Sequence, residues 1–169
     1  MHAPPRRYTS PVRDGGERHP GTAQDDAVAV EAVRAPTAAD AAGLARILPQ
    51  LSSAPAPDLD ALTRIATAEG TTLFLARAGG ELVGALTLVV LEIPTGVRGL
   101  IEDVVVDETA RGRGVGTALV EHALAAARAA GAGNVDLTSR PSRVAANRLY
   151  ERTGFTRRET NVWRRELRS

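Results

Sequence analysis

The 169 residues contain no cysteine and no lysine. Without thiols the chain has no disulfide framework, no thiolate metal site and no cysteine acyl-enzyme. All 21 basic residues are arginines, so no lysine side chain can accept an acyl group; with the abundant alanine, this fits a GC-rich coding bias. Aromatic residues are scarce: one Trp, two Tyr and two Phe. A formal net charge of +1 gives no field that would draw nucleic acid or a membrane surface. No apolar run approaches the ~20 residues that span a bilayer. The N-terminus lacks the apolar core of a signal peptide, and a cytoplasmic protein is expected. What remains is long enough for one domain with a real core.

Residues 1–27 carry Pro4-Pro5, Pro11, Gly15-Gly16 and Pro20-Gly21 with hardly a large apolar group, which predicts a disordered extension ahead of a single domain over 28–169. Val28 to Arg34 alternates and reads as a strand. Thr37 with Asp40 three residues on predicts a capped helix bearing Leu44, Ile47, Leu48 and Leu51. A second helix is expected to start at Asp58, turn Leu59, Leu62 and Ile65 inward, and stop at Gly70. Thr71–Arg77 and Glu81–Leu91 are strands joined at Gly79-Gly80, the second of them central. Arg98–Val106 is the next strand. Val115–Ala130 is the main helix, with Val115, Leu119, Ala123 and Ala126 on one face. A strand Val135–Thr138, a helix Arg143–Thr153 and a last strand Thr156–Glu166 complete the order β-α-α-β-β-β-α-β-α-β.

The stretch Arg111-Gly112-Arg113-Gly114-Val115-Gly116 sits between the apolar run ending at Val106 and the alanine-rich helix. A strand, a glycine turn and a helix build an anion site. Glycine lets the backbone curl close to a ligand. The first helical N–H groups lack internal partners, and the helix dipole adds positive potential where phosphate binds. A P-loop would need Lys and Ser or Thr after its last glycine, yet Thr117 follows Gly116 directly. The dinucleotide fingerprint wants glycines at 1-3-6, whereas Gly112, Gly114 and Gly116 stand two apart. A tight turn with no ligand is the remaining alternative.

Arg111, Gly114 and Gly116 match the Arg/Gln-x-x-Gly-x-Gly/Ala loop of the GCN5-related N-acetyltransferases, which this chain resembles. Downstream, Asn147, Tyr150, Gly154 and Phe155 match that family's other hallmark: an Asn and a Tyr on a helix, then Gly-Phe where the chain leaves it. The resemblance covers about 28–169. It implies an α/β fold with a mixed, strongly twisted central sheet of six to seven strands and helices on both faces. It also implies acetyl-CoA as co-substrate and no metal. The backbone of Val104, Val105 and Val106 would hold the pantetheine arm. The main chain from Gly112 through Arg113, Gly114, Val115 and Gly116 to Thr117 would take the pyrophosphate, with Arg111 nearby. Asn147 would reach the pantetheine or acetyl end. The implied reaction is direct attack of a primary amine on the thioester, with Tyr150 as general acid toward the leaving thiolate.

A base must take the amine proton. Glu102 is the candidate, acting directly or through water, while strand alternation puts Asp103 on the opposite face unless a bulge re-aims it. The two acids together favour a cationic amine. His122 reads as a surface residue, and His2 and His19 fall in the extension. Ile101–Val104 and the Asn-x-x-Tyr-Glu-x-x-Gly-Phe run resemble the glucosamine-6-phosphate N-acetyltransferase branch. The chain departs from it at Thr138, where that branch carries an acidic residue soon after the fifth strand begins, and in the added Ser139–Arg143. The expected acceptor is a small-molecule amine, bounded by the first two helices and the Ser52–Pro57 loop. A protein or peptide N-acetyltransferase is the enzymatic alternative, and a non-catalytic acyl-CoA-binding module the other. No nucleic-acid or membrane partner is expected. Val162 and Trp163 suit either a homodimer interface through the last strand or a tryptophan packed under the sheet.

Overall fold

A computed structural model describes residues 27–167. The extension read as disordered lies outside them, apart from Ala27, and with it His2 and His19. Five strands form one sheet in the order β1-β2-β3-β4-β5: β1 (Ala29–Val33), β2 (Thr71–Ala78), β3 (Glu81–Ile93), β4 (Gly96–Val106) and β5 (Asn134–Leu137). The first four pair antiparallel, and β5 lies parallel to β4. Gly79 and Gly80 both take positive φ, the conformation a tight hairpin demands, and β3 is central as expected.

One face of the sheet carries α1 (Ala38–Ile47) and α2 (Leu59–Thr67). Leu44, Ile47, Leu62, Leu73, Leu75 and Val105 form its core. On the other face, α3 (Val115–Ala129) buries Val115, Leu119, Val120, Ala123 and Ala127 against Leu86, Leu88 and Ile101. The chain segment α4 (Val144–Arg152) adds Tyr150 to that cluster. The close contact of α3 and α4 depends on Gly116, whose added Cβ would stand 2.6 Å from the Leu149 side chain.

Two buried carboxylates tie the helices to the sheet. Asp40 completes the capping box with Thr37, accepting its N–H at 2.7 Å and hydroxyl at 2.8 Å, and it pairs with Arg77, which also reaches Glu31 at 2.9 Å. Asp107, at the end of β4, accepts from the Thr109 N–H and hydroxyl and pairs with Arg46. Burial raises the Asp40 pKa, but the Thr37 and Arg77 hydrogen bonds outweigh it and hold the carboxyl below its ordinary value. The Thr109 N–H leads the same effect at Asp107. Both groups therefore contribute stability that is fully present above the unfolded value of 3.8 and is lost as pH falls toward the depressed folded value. Arg77→Ala is expected to cost about 2 kcal/mol, less than a fully buried pair because Arg77 is partly solvated. Urea denaturation at pH 7 and at pH 3 tests this: the difference between wild type and variant should shrink at the lower pH.

Two expectations are corrected. The sheet has five strands among the described residues, not six to seven, because Thr156–Glu166 pairs with no strand. Its alternation was strand-like, but Val162 (75 % exposed), Trp163 (89 %) and Leu167 (90 %) find no surface among the described residues to cover them. Trp163 is therefore not a tryptophan packed under the sheet. In α2, Leu62 is buried, but Leu59 and Ile65 are each 37 % exposed.

Candidate functional site

β4 is paired along its length with β3, but β5 accompanies it only from Arg98↔Asn134 to Ile101↔Leu137. From Glu102 to Val106 its second edge has no strand beside it. Val104, Val105 and Val106 lie in this open stretch, where unpaired backbone can receive an extended ligand arm as a further strand would.

Register changes at the same place. Ala85 faces Val105 while Thr87 faces Glu102, so two steps on β3 oppose three on β4. The extra residue makes a bulge, and Asp103 takes φ 51, the one positive φ at a non-glycine among the described residues. Aspartate tolerates this conformation better than most side chains. Simple alternation is thereby overturned. Residues opposite each other share a face, so Glu102 projects on the side of Thr87, and Asp103 is turned to that side too. Thr87 and Asp103 both line a cavity of about 310 Å³ beneath α1 and α2. Both acids are exposed, but only Asp103 lies on the cavity wall; Glu102 stands outside it. Val104 packs toward the opposite core.

Beyond β4 the chain passes the 3-10 turn Glu108–Ala110 and enters the glycine loop. Gly112 and Gly114 each have φ +80, and a Cβ built on either meets nothing within 4 Å. The loop backbone is thus bare on its outer side. Gly114 is the N-cap of α3, whose first intrahelical bond runs from the Ala118 N–H to the Gly114 carbonyl. The helix makes no use of the earlier amides, those of Val115, Gly116 and Thr117. Arg111 and Arg113 are exposed beside them, and no acid stands in the first turn. Backbone, dipole and arginines all favour an anion there.

Tyr150 is buried at 7 % exposure and meets Phe155 edge-to-face, ring centroids 6.0 Å apart. Desolvation raises its pKa, partly opposed by the Arg143 charge. The phenol is therefore protonated across the neutral range. Asn147 donates to the carbonyls of Arg140 at 3.1 Å and Pro141 at 3.4 Å, fixing the added loop after β5. Thr138 is exposed just past β5, and the Ser139 Oγ beside it is buried without a protein hydrogen-bond partner. Tyr150 and Asp103 belong to opposite faces of the sheet, Tyr150 to the α3-side core and Asp103 to the cavity beneath α1 and α2. His122 is exposed and bonds the Ala118 carbonyl at 2.8 Å, as a surface residue would.

Two supporting residues gave little signal in the sequence. Gln50, in the 3-10 turn after α1, accepts from the Glu108 N–H at 3.0 Å and from Arg111 at 3.3 Å. It couples the end of α1 to the glycine loop across 61 residues of sequence, which no local pattern reports. Asp107 with Thr109 two residues on is a legible Asx turn, but its burial and its pairing with Arg46 are not. Among the described residues no group of acids and histidines could hold a metal, and no helix is long and apolar enough to cross a membrane.

A family model described as "Acetyltransferase (GNAT) family" matches residues 42–155. Similar solved structures include an acetyltransferase from Trypanosoma brucei, 27 % identical, covering 83 % of this chain and 100 % of that one at TM-score 0.67. An aminoglycoside acetyltransferase from an uncultured soil metagenomic sample is 20 % identical over 84 % and 97 % of the two chains, TM-score 0.73. A glucosamine-6-phosphate N-acetyltransferase from Arabidopsis thaliana is 18 % identical over 83 % and 99 %, TM-score 0.70. No curated protein matches significantly.

Proposed function

Because the chain belongs to the acetyltransferase (GNAT) family, and is thus an acyl-CoA-dependent N-acyltransferase, we propose that it acetylates the primary amine of a small molecule, with Tyr150 as general acid. The observation that carries this reading is the bulge in β4. One short stretch of strand bears both an unpaired backbone edge and an exposed acid on the wall of an open, leucine-lined cavity.

The residues fit acetyl-CoA. The loop at Gly112 and Gly114 is open where a Cβ would stand, so backbone can come close to a pyrophosphate. The amides of Val115 to Thr117 and the side chains of Arg111 and Arg113 supply positive potential. The Val104–Val106 edge would take the pantetheine amides, and the buried Ser139 Oγ, two residues past the end of β5, is a polar group without a protein partner. Acetyl-CoA contributes the activated thioester.

The chain's own residues then handle the amine and the protons. Asp103 holds the ammonium at the cavity mouth and orients its nitrogen. Glu102, on the same side of the strand but outside the wall, takes the proton through a water. The neutral nitrogen forms its bond to the acetyl carbon as the carbon–sulfur bond breaks, Tyr150 gives the departing sulfur a proton, and the nitrogen's second proton passes through solvent to restore the phenol. The aminoglycoside and amino-sugar enzymes among the similar structures are in keeping with a small amine acceptor, although at their identities they speak for the fold alone.

The test is acetyl-CoA-dependent thiol release over a panel of amines; the absence of cysteine keeps the protein's own background low. Glu102→Gln is expected to lower kcat by about 10²-fold, with the acetyl-CoA KM little changed. An unaltered kcat would remove Glu102 as base. Transfer only to peptide N-termini would replace the small-molecule acceptor, and acetyl-CoA binding without transfer would leave a binding module.

A further inference from the structure

The cavity under α1 and α2 has a one-sided chemistry. Its wall is built from leucines at 44, 48, 51, 62 and 73, together with Ile65, Pro55 and Pro57. Ser52 and Thr87 are its neutral polar side chains, and Asp103 is its one ionisable group. At about 310 Å³ it lies at the small end of ligand sites.

Each familiar acceptor type meets a specific obstacle here. A phosphorylated amino sugar brings a dianion, yet no cation lines the wall, and Asp103 would repel it. A sugar ring would bury several hydroxyls against leucine, where each one left unpaired is costly. A polyamine or aminoglycoside carries several ammonium groups for a single carboxylate. A monoamine with an apolar body has none of these problems: its charge meets Asp103, and its carbon skeleton covers the leucines. The 37 % exposure of Ile65 then has a reason, since its side chain faces the cavity and not packed core.

We propose that the acceptor is a hydrophobic primary monoamine, an alkyl- or arylalkylamine, held by Asp103 with its apolar body in the leucine-lined cavity. This rests on the acetyl-transfer reading above. Straight-chain amines from ethylamine to hexylamine give the sharpest test, because their ammonium pKa values are nearly equal and only the buried area changes. At saturating acetyl-CoA, kcat/KM should rise about fourfold per added methylene, the equivalent of ~0.8 kcal/mol. 2-Phenylethylamine should exceed glucosamine-6-phosphate, spermidine and kanamycin by about 100-fold or more, the product of several such steps. Ile65→Ser, at a partly exposed position, should flatten the chain-length slope without raising the acetyl-CoA KM. Asp103→Asn should raise the KM of every amine. Thermal stabilisation by the amines, measured without turnover, separates the two layers. If phenylethylamine stabilises wild type but not Asp103→Asn and no thiol is released, acetyl transfer fails and the pocket assignment stands. A flat chain-length series, or preference for the amino-sugar phosphate, the polycations or a peptide, overturns the hydrophobic acceptor while acetyl transfer survives. Neither stabilisation nor thiol release with any amine overturns both.

Discussion

Tyr150→Phe is expected to lower kcat by about 10²–10⁴-fold at saturating acetyl-CoA while leaving acetyl-CoA binding nearly intact. The substitution removes one oxygen and keeps the ring that packs against Phe155 in the α3–α4 core, so a loss of fold is not the expected cause. The phenol's burial pushes its pKa above the ordinary value of 10.0, and a group so placed is a proton donor at neutral pH and not a phenolate. The sign of the pH dependence follows. Wild-type turnover should show no alkaline decline from this group until beyond the ordinary phenol range, since only deprotonation disables it. In the variant, turnover should depend on the acidity of the leaving thiol, because nothing now neutralises it. Single-turnover rates with acetyl-CoA bound, together with a thermal shift by acetyl-CoA that equals wild type, measure both parts. Equal single-turnover rates in the two proteins would remove Tyr150 from the chemistry.

Local rules accounted for much of the frame. Thr37 with Asp40, Asp58 ahead of Leu59, and Gly79-Gly80 between alternating runs each act over four residues or fewer, and each forms the predicted cap or turn. The glycine loop was legible for the same reason, as its conformation depends on residues missing a Cβ. The bulge was not, because it is a relation between two strands. Ile101–Val106 alone looks like a regular strand; only the pairing of Ala85 with Val105 and Thr87 with Glu102 shows that a residue has been inserted. The faint signal was an aspartate inside an otherwise apolar run, at a site where left-handed backbone is least costly to it. The last strand failed for the opposite reason. Its periodicity was adequate, but a strand also needs an edge to pair with and a surface for its apolar side chains, and Val162 and Trp163 have neither among the described residues. The inward face read for α2 was half right: Leu62 fills the core, while Ile65 looks into space that a ligand would occupy.

Gly114→Ala is expected to raise the acetyl-CoA KM by about 10–100-fold, the equivalent of losing one charge-assisted hydrogen bond worth ~1.5–3 kcal/mol. At φ +80 an added methyl both strains the backbone, by about 1–2 kcal/mol, and projects into the open space in front of the loop. Either effect moves the α3 amides away from the place an anion needs them. Strain alone could lower activity through stability, so the comparison must hold strain constant. Gly131 supplies that control. It lies just past the other end of α3, has φ +83, and likewise has nothing within 4 Å of an added Cβ. Gly131→Ala should lose similar thermal stability and keep the wild-type acetyl-CoA KM, whereas Gly114→Ala should lose both. The amine KM should stay unchanged in each, because the acceptor cavity lies on the other face of the sheet. If the two variants show the same acetyl-CoA KM, the loop's role is to turn the chain and not to bind the pyrophosphate, and the anion site must be sought elsewhere along the open edge of β4.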